Sequence, residues 1–76
     1  MQDHQHHTKY NEARLIRIRE VMNLTGLSRS YVYELAAQGR FPSSVLLVPG
    51  GTSRAWVYGE VQDWLNQRIA ARHLEA

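Results

Sequence analysis

The chain has 76 residues, no cysteine, and 9 Lys+Arg against 7 Asp+Glu. This length supports one small domain, with no disulfide framework or thiolate metal site to staple it. The net charge of +2 is too small to argue for a nucleic-acid partner by itself.

The type and placement of the cations say more. Every cation except Lys9 is arginine, the residue better suited to bidentate phosphate and guanine contacts. From Gly26 to Tyr58 the charged residues are Arg29, Arg40 and Arg54 against Glu34 alone. The N-terminus carries no apolar leader, and no apolar run approaches membrane-spanning length. A soluble, intracellular protein with no membrane partner is therefore expected.

Residues Met1 to Asn11 are polar and aperiodic. They cannot bury enough apolar surface to offset their ordering entropy, which predicts a disordered tail over residues 1–13 and a folded domain over 14–76. His4, His6 and His7 lie in that tail. No second cluster completes a metal site of structural spacing, so no metal is expected.

Leu15-Ile16-Arg17-Ile18 alternates and predicts a short strand, with Ile16 and Ile18 on one face and Arg17 on the other. A first helix follows from about Arg19 to Thr25, with Val21 and Leu24 on its inner face. At about two turns it is marginal alone and must be held by packing. Gly26 supplies a turn where φ > 0 is tolerated, and Leu27 anchors that turn in the core.

Ser28 is a favoured N-cap for a second helix reaching about Gln38. Gly39 is a natural residue just past its end, followed by Arg40. At roughly 100° per residue, Val32, Leu35 and Ala36 share one face. Ser30, Tyr33, Glu34 and Ala37 fall on the other, with Arg29 at its margin. Such a helix suits insertion into a DNA major groove. The same pattern also suits an ordinary amphipathic helix in a small bundle.

Pro42 ends helical structure and pushes Phe41 toward an extended conformation. Phe41, the one Phe of the chain, is expected to plug the core. Val45-Leu46-Leu47-Val48 and Arg54-Ala55-Trp56-Val57 read as two strands joined by a turn at Pro49 to Ser53, making a hairpin. Its tip is expected to be small and flexible and to present Thr52, Ser53 and Arg54. That suits phosphate or minor-groove contact, and equally a plain solvent-exposed tip.

A third helix is expected from Tyr58 or Gly59 to Arg72. Val61, Trp64, Leu65 and Ile69 form its inner face. Glu60 and Asp63 lie near its N-terminus, and Arg68 and Arg72 near its C-terminus, the order its dipole favours. Both tryptophans are expected in the core, and His73 to Ala76 should fray.

Little in the chain supports catalysis. There is no cysteine nucleophile, and Glu60 and Asp63 are a solvated i, i+3 pair. Gly50-Gly51 lacks the Lys-Ser/Thr and the following helix of a phosphate-binding loop. No enzyme activity and no cofactor are expected.

The stretch LIRIREVMNLTGLSRSYVYELAAQGRFP, a hairpin ending in RAW, and then EVQDWLNQRIA resemble the AlpA family of small phage and genomic-island regulators. The resemblance covers Leu15 to about Ala71. Its specific parts are REV, TGLSRS-x-V-Y, GRFP, Trp56, and the E-V-x-x-W of Glu60, Val61 and Trp64.

The resemblance implies an α+β fold: a small winged helix-turn-helix related to MerR-type domains and phage excisionases, with three helices and a β-hairpin wing. Helix Ser28–Gln38 would be the recognition helix and Val45–Val57 the wing. Glu34 stands where similar sequences commonly carry a base; it can accept from a cytosine amino group. The wing is Gly-rich, with Arg54 its one cation.

These observations, with the resemblance, predict a double-stranded DNA-binding protein of a mobile element, in the bacterial cytoplasm and associated with the nucleoid. Its candidate contacts are Ser28, Arg29, Ser30, Tyr33, Glu34, Arg40, Thr52, Ser53 and Arg54, with Ser28 serving first as a cap. The leading expectation is an excisionase, or recombination directionality factor, that bends attachment-site DNA for an integrase. The alternatives are a transcriptional regulator and a protein-interaction module that recruits an integrase. No heptad repeat offers a coiled coil, so a monomer in solution is expected, with several copies on adjacent DNA sites.

Overall fold

The computed structural model describes residues 14–75, with side chains described over 14–73. The predicted tail and its histidines lie outside those residues. The element order is β1 (Leu15–Ile16), α1 (Ile18–Thr25), α2 (Arg29–Ala37), β2 (Val45–Leu46), β3 (Arg54–Val57) and α3 (Tyr58–Glu75). The strands form one antiparallel sheet in the order β1-β3-β2. This is an α+β domain compatible with a winged helix-turn-helix.

Local chemistry accounts for the helix-turn-helix. Gly26 ends α1 at φ 75°, and its N–H donates to the Met22 carbonyl at 2.8 Å. Thr25 Oγ1 donates to the Val21 carbonyl and accepts from the Leu27 N–H. Ser28 Oγ accepts from the Tyr31 N–H at 3.2 Å, so it is the N-cap that the sequence predicts. At the far end Gly39 takes φ 74°. Its N–H donates to Ala36 O, and the Arg40 N–H to Leu35 O. Those two bonds are the paired closure of a Schellman motif, which a residue without a Cβ penalty permits.

The core is Ile16, Val21, Val32, Leu35, Phe41, Trp56 and Val61, with Leu27, Ala36, Trp64 and Leu65 packed around it. Trp56 is fully buried and donates from its indole N–H to the Pro42 carbonyl at 3.1 Å. Trp64 donates in the same way to the Arg40 carbonyl at 2.8 Å, and its ring meets Phe41 edge-on at 4.9 Å. The two indoles thus pin the irregular segment after α2 and satisfy its carbonyls.

Three expectations need correction. The first strand ends at Ile16, and Ile18 opens α1. Arg17 sits between them in an extended conformation, φ −93° and ψ 172°. Ile18 still reaches the core, because Ile18 and Val21 are i, i+3 neighbours on a helix. The predicted strand Val45–Val48 has only Val45 and Leu46 in the ladder. Their partners are Ala55 and Arg54. β2 is an edge strand that no other described element covers, and Val45, Leu46, Leu47 and Val48 are all exposed.

Finally, α3 continues through residues expected to fray, and Ile69 is 53% exposed. The helix outruns the core, so periodicity alone places Ile69 on a face that has no partner at that level.

Candidate nucleic-acid interface

On α2, Val32 and Leu35 point inward while Arg29, Ser30, Tyr33, Glu34 and Ala37 are exposed. The amphipathic split read from the sequence is therefore the one that folds. Ser28 is also exposed, with its hydroxyl engaged as the cap.

Tyr33 is only 38% exposed. Its ring rests on Trp56, with centroids 5.6 Å apart and planes at 59°. This contact seats α2 against β3. Arg54 lies two residues before Trp56 on the same strand and so shares its sheet face. The exposed face of α2 and the start of β3 are thereby brought side by side.

Arg54 does not stand at the hairpin tip, which corrects the expectation. It pairs with Leu46 in the ladder, and its guanidinium donates to Ser44 Oγ at 3.2 Å. That places it in the ladder pair next to the turn, with its side chain running back to Ser44. Thr52 and Ser53 lie on the descending limb, where the Ser53 carbonyl accepts from the Leu47 N–H at 2.8 Å. Nor is the tip loose. It is the turn Val48-Pro49-Gly50-Gly51, closed by Gly51 N–H to Val48 O at 2.9 Å, with Gly50 at φ 82°. Pro in the second position and a positive-φ Gly in the third are the residues a type II turn requires.

Glu34 is not isolated on the α2 face. Its carboxylate accepts from the Gln38 amide at 3.4 Å, and Gln38 Oε1 accepts from Arg40 at 3.3 Å. These three side chains form an exposed chain along the C-terminal end of α2. Arg40 is thus held at the opposite end of α2 from Arg29.

Arg17 was not among the residues that the sequence singles out. Its Nε donates to the Arg54 carbonyl at 2.9 Å. It joins the start of α1 to the start of β3 and puts a second guanidinium beside the Arg54 backbone. A lone Arg between two inward Ile residues was the only sequence signal for it. Among the described residues the one ion pair is Arg14–Glu20, 3.1 Å long and exposed. Arg17, Arg29, Arg40 and Arg54 are exposed and, among the described residues, make no ion pair, so their positive field is available to an anion.

No helix among the described residues is long and apolar enough to cross a membrane. No solved structure matches the chain. Residues 14–69 match the model of the family described as prophage CP4-57 regulatory protein (AlpA). The chain is also 49% identical over 61 residues to the uncharacterized protein ORF88 of Enterobacteria phage P4, a match covering 80% of this chain and 67% of that protein. The chain belongs to the AlpA family, small phage-related DNA-binding regulators.

Proposed function

We propose that the protein binds duplex DNA with α2 in the major groove and the β2–β3 hairpin as a wing over the flanking backbone. The observation that carries this reading is the Tyr33–Trp56 contact. It sets the exposed face of α2 beside β3, the strand that Arg54 opens and to whose Arg54 carbonyl Arg17 is hydrogen-bonded. Arg29, Ser30 and Tyr33 then contact the groove and its phosphates. Thr52, Ser53 and Arg54 hold the backbone alongside, and Arg40 and Ser28 are secondary contacts.

Within that class the proposed role is a recombination directionality factor that bends attachment-site DNA for an integrase. One module of this size buries only about 600–1,000 Å² on DNA. Useful affinity therefore calls for several copies on adjacent sites, each a monomer in solution. The second reading is a transcriptional regulator, favoured by the regulatory role in the family's description. Several bound copies and a bend support the first, and a single promoter site supports the second.

A mobility-shift titration of wild type against the double variant Arg29→Ala with Arg54→Ala tests the DNA-binding reading. The variant should stay folded by circular dichroism and lose binding. A folded variant with unchanged binding removes the reading.

A further inference from the structure

The two flanks of α2 face different elements. Tyr33 rests on Trp56 of β3. Tyr31 lies two residues earlier, about 200° away around the helix. With Leu27 and Leu35 it lines a cleft of about 510 Å³ against α3. Gln67 and Arg68 form the α3 wall of that cleft, and Gly39 and Arg40 close it where α2 stops. Arg40 and Arg68 are both exposed and, among the described residues, neither makes an ion pair. We infer that this cleft is a second phosphate site for duplex DNA, where Arg40 and Arg68 hold the backbone across the major groove from the wing. The inference rests on the DNA-binding reading above and adds how the opposite strand is held.

The geometry of the groove calls for such a site. An α-helix with its side chains is about 10–12 Å across, and the major groove is about 12 Å wide. A helix lying in that groove therefore has a row of phosphates along each flank, one from each strand. In the proposed pose β3 and the wing meet the row on the Tyr33 side. The Tyr31 side faces the other row, and the cleft opens there.

The charges favour phosphate at this place. The dipole of α3 is complemented by Arg72 and His73 in its last turn, and the effect falls off within that turn. Arg68 lies before it, so the dipole does not account for its position. Arg40 is pre-organised: its N–H donates to Leu35 O at 2.8 Å, and its guanidinium donates to Gln38. No carboxylate lines the cleft. Glu60 and Asp63 line the adjoining one, beside Phe41, Pro42 and Ser43 past the end of α2. They confine an anion to the end that holds Arg40 and Arg68. Glu34 reaches Arg40 only through Gln38. Two guanidiniums without a carboxylate between them suit the oxygens of a phosphodiester.

The probe is a duplex recovered from a random-sequence library by the wild-type protein and remade with single methylphosphonates, each of which removes one phosphate charge. Substitutions that weaken wild-type binding should fall in two rows, one on each strand across the major groove. Arg40→Ala with Arg68→Ala should make binding indifferent to one row, and Arg54→Ala to the other. The alanine pair should also flatten the slope of log K against log salt by about 1.8, at about 0.9 per phosphate contact. Arg40→Lys with Arg68→Lys should restore most of that slope, because the charge is kept. Arg68→Ala alone gives the same reading at half the change, should the pair fail to fold by circular dichroism. A folded alanine pair with the wild-type slope and both rows intact overturns the site and leaves DNA binding standing; the cleft then belongs to another ligand, such as a protein segment. Weaker binding with both rows intact is a long-range charge effect and also overturns it, as does one row silenced by both sets of variants. Wild type that recovers no duplex overturns the site and the DNA-binding reading together.

Discussion

The ring of Tyr33 lies on the buried ring of Trp56, 5.6 Å between centroids and tilted by 59°. One side chain thus faces two ways, toward the exposed face of α2 and onto the core. Tilted aromatic pairs contribute about 0.5–1.5 kcal/mol beyond their buried area. Tyr33→Phe should keep that contribution and leave the melting temperature nearly unchanged. Tyr33→Ala should uncover Trp56 and cost about 1–3 kcal/mol in urea denaturation. If Tyr33→Ala is as stable as wild type, the ring contact does not seat the helix.

Ser28 offers a test that separates capping from DNA contact. Its hydroxyl accepts the Tyr31 N–H. Ser28→Ala should therefore cost about 0.5–2 kcal/mol of stability, and Ser28→Asp much less, because Asp also caps. On DNA the order should differ, since Asp adds a negative charge beside phosphates. Calorimetry and mobility shifts on the same three proteins give the comparison.

Glu34 sits on the exposed face of α2 and accepts from Gln38. Its charge opposes phosphate binding. Glu34→Gln should tighten binding to random-sequence duplex several-fold at low salt, an effect that fades as salt rises. If Glu34 also accepts from a cytosine amino group, the same change should relax preference at one base pair, by about 1–3 kcal/mol. Weaker binding to random duplex after Glu34→Gln would show that the carboxylate acts by holding Gln38 and Arg40 in place.

Arg17 bridges two elements far apart in sequence by donating to the Arg54 carbonyl. Arg17→Ala should lower DNA affinity and flatten its salt dependence, since each phosphate contact contributes about −0.9 to the slope of log K against log salt. A change in affinity with an unchanged slope would assign Arg17 to positioning the hairpin. Arg17→Lys should restore the slope but not the bond geometry of the guanidinium.

Trp64 makes a separable structural prediction. Its indole N–H satisfies the Arg40 carbonyl, so Trp64→Phe removes a hydrogen bond and some packing. A loss of about 1–3 kcal/mol is expected by thermal denaturation. DNA affinity of the folded fraction should hold, because Trp64 lies away from the exposed face of α2.

What could be read from the sequence was the chemistry that acts within a few residues. Ser28 as a cap, Gly26 and Gly39 at positive φ, and the inward Val32 and Leu35 were all legible. Each depends on backbone hydrogen bonds or helical spacing inside one short stretch. The fold class followed from their order and from the family motifs. Only the tertiary structure decided what met what. Arg17 found Arg54, and Tyr33 found Trp56, across stretches that no local pattern connects. Arg54 lies in the ladder opposite Leu46 rather than in the turn, because strand register, a pairing between two stretches, sets its place on the hairpin. Val45 to Val48 are apolar and Ile69 was placed on the inner face of its helix, yet all of them are exposed. Apolar character states what a side chain would gain by burial. Whether another element reaches it is settled by the packing of the whole chain.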